Sequence, residues 1–336
     1  MKLKIHPFNL ILAHPFGISR SVRTSQASLV VELEDGGLRG YGEATANPYY
    51  NATIESMTKE LENLRPVIEN TPIDSPESYW TALHTHLQDS PFTLCALDEA
   101  ANDLYGKKKG KPLHQIWGYQ TDQMPLSSYT IGIDTPEKMV EKLKEKPWPV
   151  YKIKLGTEQD LEIIQTLRQH TDATFRIDAN CAWTVEQTIE MSHQLKELGV
   201  EFIEQPLAAD DWDGMKSVYE SSVLPVLADE SCRTESDVER CHGYFHGINI
   251  KLMKCGGLTP ARRMIDKAKS LGLQLMVGCM CESSVGISAI AQLLPCLDYV
   301  DMDGALLLKK DVATGVKLNF GRAVLPKVPG TGAALL

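Results

Sequence analysis

Five short apolar runs in the middle of this chain each deliver a side chain able to hold a cation or move a proton. VYKIKLG carries Lys152 and Lys154, FRIDAN carries Asp178, EFIEQP carries Glu204, VLADES carries Asp229 and INIKLMK carries Lys251. The intervals are regular: 26 residues from Lys152 to Asp178, 26 to Glu204, 25 to Asp229 and 22 to Lys251. A helix-patterned segment follows each run, and about 25 residues make one strand, one loop and one helix of a parallel barrel. In such a barrel the carboxyl ends of the strands converge on one mouth. Three acids and three lysines scattered along the sequence are thereby predicted to share one site.

Asp178, Glu204 and Asp229 are hard oxygen donors from three successive strands, a set suited to Mg²⁺. Zinc recruits His or Cys, and none of the nine histidines falls at these strand ends. Any one acid taken singly is as readily a helix cap; three in register favour the metal. Lys152 and Lys154 are two apart and share a side of their strand. Two adjacent cations disfavour each other's protonation, and a lysine lowered to about 7–8 acts as a general base. Lys251, four strands further round, faces them across the mouth. A substrate carboxylate bound between Lys154 and Lys251 presents opposite faces of its α-carbon, so one lysine removes a proton, the other returns one, and the carbon inverts.

The elements that must position these residues read as a TIM-type (β/α) barrel, fold class α/β, with an N-terminal α+β capping domain. The capping domain is expected over 1–115, joined by the tail 304–336, and the catalytic barrel over 116–303. In the cap, 3–11 and 28–34 read as strands, Asp35-Gly36-Gly37 as a hairpin turn, and 53–68, 76–87 and 92–105 as helices closed by Gly106. In the barrel the strands are expected at 126–133, 150–155, 174–178, 201–204, 225–229, 247–252, 273–278 and 298–302. Helices are expected at 158–170, 184–198, 211–221, 234–242, 258–271 and 284–294.

Composition narrows the partners. The 336 residues carry a formal charge of −10, which favours neither nucleic acid nor an anionic membrane. No apolar run approaches the ~18–20 residues that span a bilayer. The N-terminus, interrupted by His6, Pro7 and Asn9, does not read as a secretory signal. The eight cysteines form no CxxC pair, so reduced thiols in a cytoplasmic protein, with homo-oligomerisation left open, is the expectation.

The set KIK, DAN, EQP, DES, NIKLMKCGG and GCMCESSVG resembles the muconate-lactonising subgroup of the enolase superfamily over nearly the whole chain. The resemblance implies that Asp178, Glu204 and Asp229 hold one Mg²⁺, that Lys154 and Lys251 are the two bases with Lys152 adjusting the first, and that Asn180 and Glu230 support the site. Asp301-Met302-Asp303 resembles the Asp-x-Asp of dipeptide epimerases, where the pair holds a substrate ammonium. Arg20 or Arg23, in the cap segment 16–25, is then implied to meet a glutamate side chain, as in enzymes acting on Ala-Glu. Glu282 is a further candidate at the mouth, with packing as the equal alternative. Two other readings stand beside this one. One is a muconate cycloisomerase or o-succinylbenzoate synthase of the same superfamily; the other is a barrel that binds metal and carboxylate without catalysis, which leaves Lys251 unexplained.

Overall fold

A computed structural model describes residues 1–19 and 21–336; Arg20, one of the two arginines singled out above, lies outside the described residues. The chain opens with a three-stranded antiparallel sheet: β1 (Lys2–Ile18), β2 (Ser21–Asp35) and β3 (Leu38–Thr45). Gly36 and Gly37 both take positive φ, 59° and 81°. This is the two-residue turn that matches strand twist, and it requires residues without a Cβ penalty. The register of β1 on β2 shifts between Ile11 and Phe16 and then resumes to Ile18. Phe16 to Ile18 therefore pair with Ser21 to Arg23 at the tip of a long hairpin. Gly17 ties that tip to the barrel by accepting the Ile133 N–H at 2.9 Å.

Helices α1 (Ile54–Asn70) and α2 (Pro76–Leu87) start at Thr53 and Ser75, each a capping box with a serine at the third position. Helix α3 (Pro91–Lys109) is buried from Phe92 to Leu104. It lies against one face of β3, where Gly40 and Gly42 leave the room: a Cβ on either would stand 2.1 Å from the Ala100 or Ala96 carbonyl oxygen. Gly106 does not close this helix. It sits inside it, where its bare Cα lets the Gly330 backbone approach, and Gly110 in the left-handed region ends the helix instead. The short α4 (Leu113–Ile116) follows.

The barrel strands are β4 (Tyr129–Ile131), β5 (Val150–Lys154), β6 (Thr174–Asp178), β7 (Val200–Glu204), β8 (Val226–Ala228), β9 (Gly247–Ile250), β10 (Gln274–Gly278) and β11 (Tyr299–Asp301), parallel and in sequence order. A parallel bridge between Ser127 and Val300 joins β11 back to the chain entering β4. The helices are α5 (Pro136–Glu145), α6 (Asp160–Arg168), α7 (Val185–Glu197), α8 (Trp212–Ser221), α9 (Asp237–Cys241), α10 (Leu252–Cys255), α11 (Leu258–Ser270) and α12 (Ser284–Ala291). Two of these were not anticipated. α5 stands where only a strand and its exit were read, and α10 is a single turn placed directly after β9. The tail forms two small pairs, β12 (Ala313–Thr314) with β15 (Ala334–Leu335) and β13 (Lys317–Asn319) with β14 (Arg322–Val324).

Along each barrel strand the residues alternate sides. Ile153, Ile177, Ile203 and Ile248 join the large core under the helices. On the other side, Phe202, Leu227 and Met276 form a separate buried cluster with Tyr299 against it. Arg176 lies over the Phe202 and Tyr299 rings at 5.5 and 5.0 Å. One step further toward the carboxyl ends, on the same side as this floor, stand Lys154, Asp178 and Glu204. Cross-strand pairing sets Lys154 beside Asp178 and Asp178 beside Glu204.

Candidate active site

Above the barrel floor is a cavity of about 460 Å³. Barrel residues Thr130, Lys152, Lys154, Asn180, Asp229, Glu230, Lys251, Asp301 and Asp303 line it from one side. Phe16, Ile18, Ser21 and Arg23 of the hairpin tip, with Asn47 to Tyr50 after β3, line it from the other. Thr45, Cys279, Met280, Cys281 and Leu307 complete the wall.

At the base of the cavity, carboxylate oxygens of Asp178, Glu204 and Asp229 lie within 4.8 Å of one another, all three residues buried. Each acid has one oxygen tied back and the other facing a lysine. Asp178 Oδ1 accepts the Asn180 N–H at 2.9 Å, and its Oδ2 lies 2.5 Å from Lys154 Nζ. Glu204 Oε1 accepts Asn249 Nδ2 at 2.8 Å, and its Oε2 lies 2.6 Å from Lys152 Nζ. Asp229 Oδ1 accepts Lys254 Nζ at 2.6 Å, and its Oδ2 lies 2.7 Å from Lys251 Nζ. The backbone of Asp229 is also held, its N–H donating to Gln205 Oε1 at 3.0 Å.

These local fixings follow from unusual backbone at the strand ends. Asn180 and Cys181, just after Asp178, take φ of 45° and 65°, and Gln205, just after Glu204, takes 38°. Such φ values in non-glycine residues persist only where surrounding contacts impose them. The Gln205 amide supplies several, donating to the Leu207 carbonyl and Ser231 hydroxyl while accepting from Asp229 and Ser231.

Burial and crowded negative charge push Glu204 up, to about 8, Asp178 being the largest of the neighbouring charges. Asp178 and Asp229 go the other way: burial opposes their charge, but lysines outweigh it and hold both below the usual range. Three carboxylates gathered in one dry space, one of them short of positive charge, offer a donor set that could hold a divalent cation. All three donors are hard oxygens, and they fit Mg²⁺.

The lysines depart from the expectation in one respect. Lys152 touches Lys154's partner Asp178 at 3.1 Å, Glu204 at 2.6 Å and Asp301 at 2.8 Å. Burial works against its charge, but Asp301, Glu204 and Asp178 hold it well above the ordinary range. The adjacency of two lysines does not depress Lys152, because three acids surround it. Lys251 is likewise raised, burial being overcome by Asp229. Deprotonating Lys251 therefore requires another cation to take up the charge of Asp229.

The remaining predicted residues divide. Asp301 and Asp303 both reach the cavity. Asp301 accepts the Ser128 hydroxyl, and Asp303 accepts the Thr130 N–H at 2.6 Å. Burial and the charge of Asp301 push Asp303 up to about 6. Asn180 Nδ2 donates to Glu230 Oε1 at 3.4 Å beside the cavity. Arg23 donates to Gln26 Oε1 at 2.5 Å, and Gln26 is itself anchored by the Ala27 and Ala46 carbonyls. Glu282 takes the packing position that was its equal alternative. It is buried away from the cavity lining, accepts the Met280 N–H at 2.8 Å and crowds Gly286. Its carboxyl is pushed far up by burial and by Glu43. Asn249, Lys254 and Gln205, which hold the acids in place, were not singled out from the sequence.

Residues 2–118 match the mandelate racemase/muconate lactonizing enzyme N-terminal domain, and residues 135–336 match the enolase C-terminal domain-like family. The chain belongs to the enolase superfamily. Over its full length this superfamily member is 57% identical to an L-Ala-D/L-amino acid epimerase from Flavobacterium johnsoniae, covering 100% of both chains. It is 40% identical to an L-Ala-D/L-Glu epimerase from Bacteroides thetaiotaomicron, over 99% of this chain and 87% of that one. Among solved structures it is similar to a dipeptide epimerase from Enterococcus faecalis complexed with Mg and L-Leu-L-Tyr. The TM-score there is 0.93, with 30% identity over 99% of each chain. This member of the superfamily is an isomerase of the epimerase kind. Among the described residues no helix is long and apolar enough to cross a membrane.

Proposed function

We propose that this enzyme inverts the α-carbon of the C-terminal residue of a dipeptide by 1,1-proton transfer between two lysines. The observation that carries the reading is the order of groups around the barrel. Lys154 ends β5, the three acids come from β6, β7 and the end of β8, and Lys251 follows β9. A carboxylate seated at the acids thus has an amine on either flank. An ion bound there supplies positive charge for the oxygens that become an enediolate. One lysine takes the α-proton and the other gives a proton to the opposite face; each is returned to its starting state before the next turnover. Lys152 holds its charge among Asp178, Glu204 and Asp301 and keeps the base of the site from accumulating negative charge.

Asp301 and Asp303 form the anionic end of the cavity, suited to a substrate α-ammonium. Among the described residues Arg23 is the cation lining the hairpin end, suited to an acidic side chain. Together these support L-Ala-D/L-Glu, a peptide of cell-wall origin, as substrate, with the reaction in the cytoplasm. The Flavobacterium and Bacteroides relatives are both named for an N-terminal L-Ala and differ in the second residue, whereas the Enterococcus enzyme was solved with L-Leu-L-Tyr. Incubation of a dipeptide panel with Mg²⁺ in D₂O, read by mass spectrometry and chiral analysis, tests the proposal. Deuterium at the C-terminal α-carbon with formation of the epimer supports it; no uptake with any dipeptide overturns it.

A further inference from the structure

Lys254 is a charged group beside the site that the mechanism leaves unused. Its side chain has no exposed surface. It spends its donors on one neighbourhood: the Asp229 carbonyl, Asp229 Oδ1 at 2.6 Å and the Cys232 carbonyl at 2.9 Å, with the Asn249 carbonyl at 3.4 Å. Burying an ammonium costs several kcal/mol before its contacts offset it, so a neutral donor would serve better if only shape were needed. The other two acids are held that way: Asp178 by a backbone N–H and Glu204 by the Asn249 amide. Only Asp229 has its spare oxygen held by a full positive charge.

We propose that Lys254 is a positioning residue that confines Asp229 to a one-oxygen grip on the ion and so selects Mg²⁺ over Ca²⁺. The inference rests on the metal reading given above. Mg²⁺ takes single oxygens at near-octahedral positions, whereas Ca²⁺ accepts two oxygens from one carboxylate and gains from a higher ligand count. An ammonium fixed on Oδ1 denies Asp229 its second oxygen and lowers the charge the carboxylate offers. Loss of the second oxygen weighs more against the larger ion, which gains from a two-oxygen grip.

The test is calorimetric titration of metal-free enzyme with MgCl₂ and, separately, CaCl₂, for the wild type, Lys254→Met and Lys254→Arg. Loss of such an outer partner weakens metal binding about 10–100-fold. In Lys254→Met that loss should fall on Mg²⁺ and spare Ca²⁺, so that the Ca²⁺/Mg²⁺ affinity ratio rises about tenfold or more, and Lys254→Arg should recover part of the preference. Equal weakening of both ions, the result of a merely structural role, overturns the proposal. If neither variant folds, infrared difference spectra of wild-type enzyme carrying ¹³C-labelled aspartate decide. A one-oxygen carboxylate signature in the Ca²⁺ form supports the inference, and a two-oxygen signature overturns it. Wild-type enzyme that takes up neither ion removes the metal reading itself.

Discussion

Lys154 and Lys251 close the two ends of an arc in which each is paired to a different acid, Asp178 at 2.5 Å and Asp229 at 2.7 Å. The pairing makes the two amines equivalent in kind but opposite in position. Replacing either with Ala is expected to lower epimerisation about a hundredfold to ten-thousandfold, the usual contribution of a positioned base. Each single variant should still exchange the α-proton of one substrate epimer with D₂O, and the two variants should choose opposite epimers. Proton NMR of separate L,L and L,D substrates checks this, and full epimerisation by either variant would contradict the assignment.

Asp303 is expected to bind the substrate ammonium as a carboxylate, and burial with Asp301 pushes it up to about 6. The dipeptide's KM should therefore rise as pH falls through about 6, because the protonated form has no charge to offer. Asp303→Asn should remove that rise and lift KM at pH 8 about tenfold to hundredfold, the range for losing a charged hydrogen bond. Steady-state kinetics from pH 5 to 8 reads both. Asp301→Asn should also lower kcat, since Lys152 loses one of its three acids.

Arg23 can act on an acidic side chain only if it is held over the cavity, and Gln26 holds it. Arg23→Leu should reduce kcat/KM for Ala-Glu about tenfold or more while sparing an apolar dipeptide such as Ala-Val. Gln26→Leu should give a weaker version of the same change of preference. Competition assays with the two dipeptides measure it directly.

Asp98, buried on α3, accepts the Thr259 N–H and hydroxyl at 2.8 and 2.6 Å, and burial pushes it up to about 7 despite them. In the unfolded chain its value is about 3.9. A carboxyl raised on folding favours the native state fully below the unfolded value and loses that contribution as pH rises to the folded one. Its stabilisation should thus fade between about pH 4 and 7. Asp98→Asn should flatten this component, seen as a wild-type minus variant difference in urea unfolding across that range.

Gly42→Ala places a methyl 2.1 Å from the Ala96 carbonyl oxygen, main chain that cannot step aside. About 1–3 kcal/mol of stability should be lost, as in overpacked cores generally. Thermal melts of Gly42→Ala and Gly37→Ala separate packing from turn strain, because the space around Gly37 is open and only its backbone objects.

Much of the barrel is legible because strands buried on both faces read as apolar runs, and each run here ends in a residue with chemistry. The trio Asp178, Glu204 and Asp229 and the flanking lysines could be placed on that ground. What holds them could not. Lys254 follows Lys251 by three residues and reads as a surface lysine, because nothing local announces the turn α10 that folds it inward. Gln205 and Asn249 are amides whose partners come from neighbouring strands, information that exists only after the strands assemble. The pairing of Lys152 with Asp301 spans 149 positions in sequence, so the predicted depression of its pKa ignored the acid that matters most. Helix α5 was readable, with Thr135 capping and Pro136 at its first position.

Helix α3 belongs to the cap by sequence but finishes the barrel by contact. Asp98 covers the start of α11 at Thr259, and Glu43, paired to α3 through Glu99, covers the start of α12 at Ser283 and Gly286. Severing the halves would strand amide groups at two barrel helices and bare several carboxyls at once. Grafting a foreign cap to retune substrate choice must therefore bring matching acids with it, or the recipient will have a new mouth on a body that no longer holds together.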